Sequence, residues 1–274
     1  MGAVRYAIVD GCIVDDLLDY LAGLNSPHSC LYAEPLQPEL VKLAPYILEV
    51  TSEVEHWLSA KIIPWGIYLT TEATMRVLRQ HLRKYLQVTL PDESKPVIFR
   101  FYDPRNIWDV LSVLSDWEKH LFLSKISKIE TDYQQYRSFS VQDLHERYPD
   151  ASLVKPKFME INKEQYKKLE QIFEKRYIEE LALLIPLAPE EKIDIAFPLA
   201  ELFFYYMRNI GITDKRSIDE IVRLFAHENI RSPEAIPTEY KSILEDSHNP
   251  GHYRAEKLLL HVYGKIPAWK RSNA

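Results

Sequence analysis

Glycine is scarce in this 274-residue chain, seven residues against seventeen prolines, and so thinly spread that no Gly-rich phosphate loop can be written anywhere. The common nucleotide-binding fingerprints are excluded with it. Cysteine is scarcer: Cys12 and Cys30 are the only two, too few for a disulfide framework and without metal-type spacing around them, which points to a reducing compartment. Positive charge is not in excess either. The 34 Lys and Arg against 40 Asp and Glu leave a formal charge of −6, which disfavours general attraction to nucleic acid. Residues 1–150 hold 15 basic and 21 acidic groups and the remainder 19 of each, so the imbalance sits in the first half. Long apolar runs are also missing. The longest, Leu181 to Ala188, is interrupted by Pro186, where a membrane helix needs about 20 residues. Asp10, Asp15 and Asp16 break the first apolar stretch, unlike a secretory leader, and Tyr6 stands where a myristoylation motif wants Ser or Thr. A cytoplasmic, soluble chain with no membrane insertion and no lipid anchor is expected.

What is present is enough apolar material for a core, 46% of residues with 12% aromatic. At this length two lobes or one large domain is the expectation. Tyr6-Ala7-Ile8-Val9 reads as a buried strand ending at Asp10-Gly11, and Val14 to Leu24 follows with Val14, Leu17, Leu18 and Leu21 on one helical face. Further strands are expected at Ser29–Tyr32, Tyr46–Val50, Gly66–Thr70 and Val97–Tyr102, with helices at Ser52–Ala60, Thr74–Leu86 and Asn106–Leu114. Strands separated by helices in this rhythm imply an α/β N-terminal lobe, a mixed sheet with parallel pairs covered by helices. Ile126–Ile129 and Tyr136–Phe139 suit an antiparallel edge.

The second half reads as an all-α C-terminal lobe. Asn162 with Gln165 can cap a helix running to Ile185, Pro198 is expected to open another that Gly211 closes, and Ser217 with Glu220 forms a capping box. Ser232-Pro233 begins a fourth helix and Tyr253–Val262 a last one. The expected domains are an α/β domain at 1–147, a Pro-bearing linker at 148–158 and a helical lobe at 159–274.

Catalytic marks are few. There is no His-Glu-x-x-His, Gly-x-Ser-x-Gly, Walker loop or Cys-x-x-Cys, and His248 and His252 are separated by Pro250, which spoils a shared helix face for metal ligation. No catalytic residue, cofactor or metal is assigned. Asp10 and Asp103 each end an apolar run, where open α/β sheets place their sites and a carboxylate pair can act as acid and base, but turn and capping roles suit them better. Arg100, inside Val97-Ile98-Phe99-Arg100-Phe101-Tyr102, needs a partner such as Asp10 or Asp103. Asp10, Arg100, Asp103 and Arg105 are therefore read as a structural brace. Arg76, Arg79 and Arg83 make the one basic stripe of the acidic half, a candidate docking face for an acidic partner segment. On the apolar helix after Pro198, Phe203, Phe204 and Tyr206 are candidates for contact with a partner's hydrophobic helix.

A resemblance gathers these residues. Tyr6-Ala7-Ile8-Val9-Asp10, Ala44-Pro45-Tyr46-Ile47, Trp65-Gly66-Ile67, His81-Leu82-Arg83 and above all Arg100-Phe101-Tyr102-Asp103-Pro104-Arg105 resemble, in order and spacing over residues 5 to 125, the DUF family four-one-two-three. That is the type VI secretion effector adaptor and chaperone family that includes the Tap/TEC proteins. The resemblance implies a non-enzymatic partner for a secreted effector protein, loading it onto the VgrG spike. Beside it stand an uncharacterised hydrolase or transferase using the carboxylate pair, and an interaction module unconnected with secretion.

Overall fold

The computed structural model describes residues 2–33, 35–151, 159–185 and 193–267. The chain divides into two compact units, Met1–Leu169 and Glu170–Asn273. The expected linker thus falls within the first unit, and its residues 152–158 lie outside the described ones.

In the first unit the elements follow as β1 (Val4–Asp10), α1 (Leu17–Gly23), β2 (His28–Cys30), α2 (Pro38–Leu43), β3 (Pro45–Glu49), α3 (Ser52–Ser59), β4 (Gly66–Thr71), α4 (Met75–Leu82), β5 (Gln87–Thr89) and β6 (Val97–Ile98). They continue as α5 (Ile107–Val113), α6 (Asp116–Phe122), β7 (Lys128–Tyr133), β8 (Gln135–Ser140), α7 (Gln142–Arg147), β9 (Met159–Glu160) and the start of α8 (Lys163–Ala182). Six strands form one sheet in the order β2-β3-β1-β4-β7-β8. All its pairings are antiparallel, which corrects the expected mixed sheet. The sole parallel pair among the described residues joins β5 to β9 in a small three-stranded sheet.

The misreading has a physical origin. Both β3 and β4 run antiparallel to β1 and so share a direction, and α3 is the crossover between them. The crossover is real, but β1 lies between its strands, a split βαβ arrangement. Moreover β1 is covered on both faces. Tyr6 and Ile8 join a core with Leu78, Leu82, Ile107 and Phe122, while Ala7 and Val9 join another with Leu17, Leu21, Val54 and Leu58. A central strand buried on both sides loses its polar alternation and reads as a parallel one would.

Gly66 opens β4 opposite Val9 with φ +156°, and a Cβ there would stand 1.8 Å from the Ile8 carbonyl oxygen. Only glycine permits that close approach. The strand expected at Val97–Tyr102 is shorter, because pairing with β5 ends after Ile98 and the chain turns inward to bury Phe101 and Tyr102.

The second unit is helical: after most of α8 come α9 (Ile193–Asn209), α10 (Lys215–His227), α11 (Thr238–Leu244) and α12 (Gly251–Tyr263). Asn162 and Gln165 cap α8 reciprocally, at 2.9 and 3.0 Å. Two expected helix starts are corrected. Pro198 lies inside α9 rather than opening it, so one intrahelical bond is absent within the helix. Asp214, not Ser217, caps α10, accepting from the Ser217 N–H at 2.9 Å, and Ser217 is buried in the first turn. Ser232-Pro233 starts only a 3₁₀ turn, Pro233–Ala235, with α11 following it.

One charge sits deep in this unit. Arg254 is 5% exposed and donates to the carbonyl oxygens of Leu244 and Ile210, the latter at 2.7 Å. Those carbonyls lie at the ends of α11 and α9, where helix dipoles favour a cation.

Candidate functional site

The carboxyl end of β1 concentrates the polar residues singled out in the sequence. β1 ends in a tight turn where Asp10 donates its N–H to Trp65 and Gly11 donates to Ala44, at 2.8 and 3.1 Å. The Asp10 carboxylate is 1% exposed; it accepts from the Cys12 N–H at 2.9 Å and from the Arg100 guanidinium. Burial works against the charge on Arg100, and Asp10 more than restores it, holding the guanidinium charged above its ordinary range. Next to them Asp103 closes the turn into α5. Its carboxylate accepts from Arg105 through the backbone N–H, Nε and Nη2, at 3.0, 3.0 and 2.9 Å. Each buried carboxylate is thus matched by its own partly exposed guanidinium, as a carboxylate removed from water requires.

The neighbouring hydroxyl and thiol are held protonated. Burial, followed by a hydrogen bond with Tyr32, pushes the Tyr102 hydroxyl far above the ordinary phenol range. Burial and then the Asp10 charge push the Cys12 thiol up, against the opposing pull of Arg100. A thiol shifted this way is a poor nucleophile at neutral pH. Among the described residues no three His, Cys, Asp or Glu side chains converge on a point where a metal could sit. His248 bonds Asp246 at 3.1 Å in a loop, and His252 belongs to the opening of α12.

The basic stripe on α4 is not wholly free for a partner. Arg76 is exposed and Arg83 half-buried, but Arg79 is committed to backbone, donating from Nε to the Cys30 carbonyl at 2.5 Å and from Nη2 to that of Tyr32 at 3.3 Å. The aromatic platform is also corrected. Phe203 and Phe204 are 1% and 3% exposed within the core of the second unit, and Tyr206 bonds Glu245 at 2.9 Å. The outward large apolar residues of α9 are Leu202 and Tyr205. A helix so apolar hides its outward side in the sequence, because every face looks buried.

Several anchors escaped the sequence reading. His81 is buried and bonds the Phe122 carbonyl at 2.7 Å; its position three residues after the buried Leu78, on one helix face, was the available signal. Arg254 carries a similar signal, standing four residues before the buried Leu258 on one helix face.

Residues 5–121 match the profile of the family described as Domain of unknown function (DUF4123). Over that segment the chain is similar to DUF4123 domains. This family is linked to type VI secretion effector adaptors. No curated protein and no solved structure matches the chain. Asp10, Arg100, Asp103 and Arg105 all fall inside the DUF4123 segment, as does the α4 stripe; β7, β8 and the second unit lie beyond it. Among the described residues no helix is long and apolar enough to cross a membrane.

Proposed function

We propose that this chain is a non-enzymatic adaptor and chaperone that binds one type VI secretion effector in the bacterial cytoplasm and promotes its loading onto the VgrG spike. The DUF4123 match over residues 5–121 carries the reading. The geometry at the end of β1 is compatible with it, since the buried Asp10 and Asp103 carboxylates are each taken up by a partly exposed guanidinium and the Cys12 thiol is pushed up rather than activated. Arg76 and Arg83 are the residues of the α4 stripe whose side chains remain available to an acidic partner.

Co-expression with effector and spike proteins encoded beside it tests the reading. One effector is expected to co-purify with the chain and to lose solubility without it, because an adaptor covers apolar surface that otherwise aggregates. Deleting the gene is expected to stop delivery of that effector alone. Loss of all effectors, or of none, overturns the assignment, as does substrate turnover abolished by Asp10→Asn in a variant of unchanged stability.

A further inference from the structure

The six-stranded sheet has two edges, and the chain treats them differently. At one edge β2 is only three residues long, and Arg79 takes the carbonyl oxygens of Cys30 and Tyr32 beside it. At the other edge β8 runs six residues in unbroken register with β7, from Lys128 opposite Ser140 to Tyr133 opposite Gln135. All of its residues are exposed except the half-buried Phe139. It contains no proline or bulge, two usual means of blunting an edge, and its one charge is Arg137. Among the described residues β7 is its one strand neighbour. Alternate residues of an antiparallel strand turn their N–H and C=O groups away from the neighbour, and an added strand matches that whole row.

The side chains specify which strand. Arg137 and Phe139 share a face, since residues two apart do. The Arg137 guanidinium lies over the Trp108 ring at 4.7 Å, and Trp108 is fixed by a 2.8 Å bond to Thr131. No ion pair joins Arg137 to a carboxylate among the described residues. Phe139 sits opposite Ile129, which sits opposite Leu69, at the end of an apolar row from the core. A residue added beside Phe139 extends that row, and one beside Arg137 meets an unneutralised cation. A second copy suits the edge poorly, because antiparallel self-pairing about Arg137 sets two Arg137 side chains next to each other, pairing about Ser138 sets Arg137 beside Phe139, and β8 offers it no carboxylate in either register.

We propose that β8 is the acceptor edge for an extended segment of a different protein, taken up as a seventh strand with an acidic residue beside Arg137 and an apolar residue beside Phe139. The identity of that protein as a secretion partner rests on the adaptor reading; the edge pairing does not. The strand β8 lies outside residues 5–121.

The probe is the peptide acetyl-Thr-Val-Thr-Glu-Thr-Val-Thr-amide, with one control carrying Lys for Glu and another N-methylated at alternate residues. Amide hydrogen exchange on the full chain locates binding and a fluorescence titration measures it. The Glu peptide is expected to protect residues 135–140 and to bind about fivefold more tightly than the Lys peptide. Arg137→Glu is expected to invert that order, and the N-methylated peptide, which leaves the protein unchanged, is expected not to bind. No protection of β8 at millimolar Glu peptide overturns the proposal, as does equal affinity for the two charges. Protection of β8 that rises with protein concentration alone overturns it in favour of a second copy. An effector that co-purifies equally with the Ser138→Pro chain overturns the edge proposal and leaves the adaptor reading standing, whereas an effector that never co-purifies removes the adaptor reading while the peptide result stands by itself.

Discussion

Acid should loosen the first unit through one side chain. His81 is 7% exposed on α4, its Nε2–H donates to the Phe122 carbonyl, and its ring lies against Tyr85. Burial, reinforced by Lys84 and Lys125 and partly offset by the Phe122 carbonyl, lowers it from the ordinary 6.5 to about 4. At 1.36 kcal/mol per tenfold change in proton affinity, charging His81 in place costs about 3 kcal/mol. Between these two values the unfolded chain binds a proton that the folded chain refuses, so this contribution is whole above about 6.5 and is lost as pH falls towards 4. Against a typical total of about 5–15 kcal/mol that is a large share. The perturbation is His81→Gln, whose amide N–H can approach the same carbonyl and does not titrate. Trp57, Trp65, Trp108 and Trp117 all lie in the first unit, so tryptophan fluorescence in denaturant follows it at each pH. The variant should start about 1–2 kcal/mol less stable, and its loss between pH 7.5 and 4 should be smaller than the wild type's by up to about 3 kcal/mol. Parallel curves for the two proteins would refute the argument.

Arg100→Gln should cost about 2–3 kcal/mol, less than a wholly buried pair because the Arg100 side chain is 36% exposed, and adding Asp10→Asn should recover part of it; a double-mutant cycle in denaturant that came out additive would deny the coupling. In the second unit, Arg254→Met should lose about 1–3 kcal/mol for each carbonyl left unpaired, with Arg254→Lys no better because one ammonium replaces two separate donors; circular dichroism on heating reads it, and an unchanged melting temperature is the contrary result. On α4, Arg79→Glu should lower the melting temperature by several degrees through the lost carbonyl contacts, while Arg76→Glu leaves it alone; equal effects would mean that Arg79 is a surface charge.

Local signals in the sequence carried far. The end of β1 at Asp10, the helices at Ser52, Met75 and Ile107, and the Asn162 cap are written in short-range patterns of apolar spacing and capping residues. So is the brace, because an arginine amid Val97-Ile98-Phe99 and Phe101-Tyr102 demands a carboxylate wherever the chain supplies one. Strand direction is not local. Tyr6-Ala7-Ile8-Val9 is equally apolar whether its neighbours run with it or against it, and α3 looks like any crossover. The α4 stripe failed for a related reason: spacing puts Arg76, Arg79 and Arg83 on one side of a helix, but only the fold brings the Cys30 and Tyr32 carbonyls within reach of the middle one.

The small sheet changes what counts as a separable piece of this chain. β9 brings Met159 to lie beside Val88, and Ile161 and Leu169 enter the same core as Ile8 and Phe122. β7 covers the flank of β4, with Ile129 beside Leu69. A protein cut at residue 121 would therefore keep the segment by which its relatives are recognised and lose one wall of its interior. It would expose β4 as a raw border and strip Ile129, Val141, Leu144 and Met159 from their neighbours. The segment that matches the family and the compact unit that holds it have different lengths here: the match ends at residue 121, and the unit runs on to Leu169.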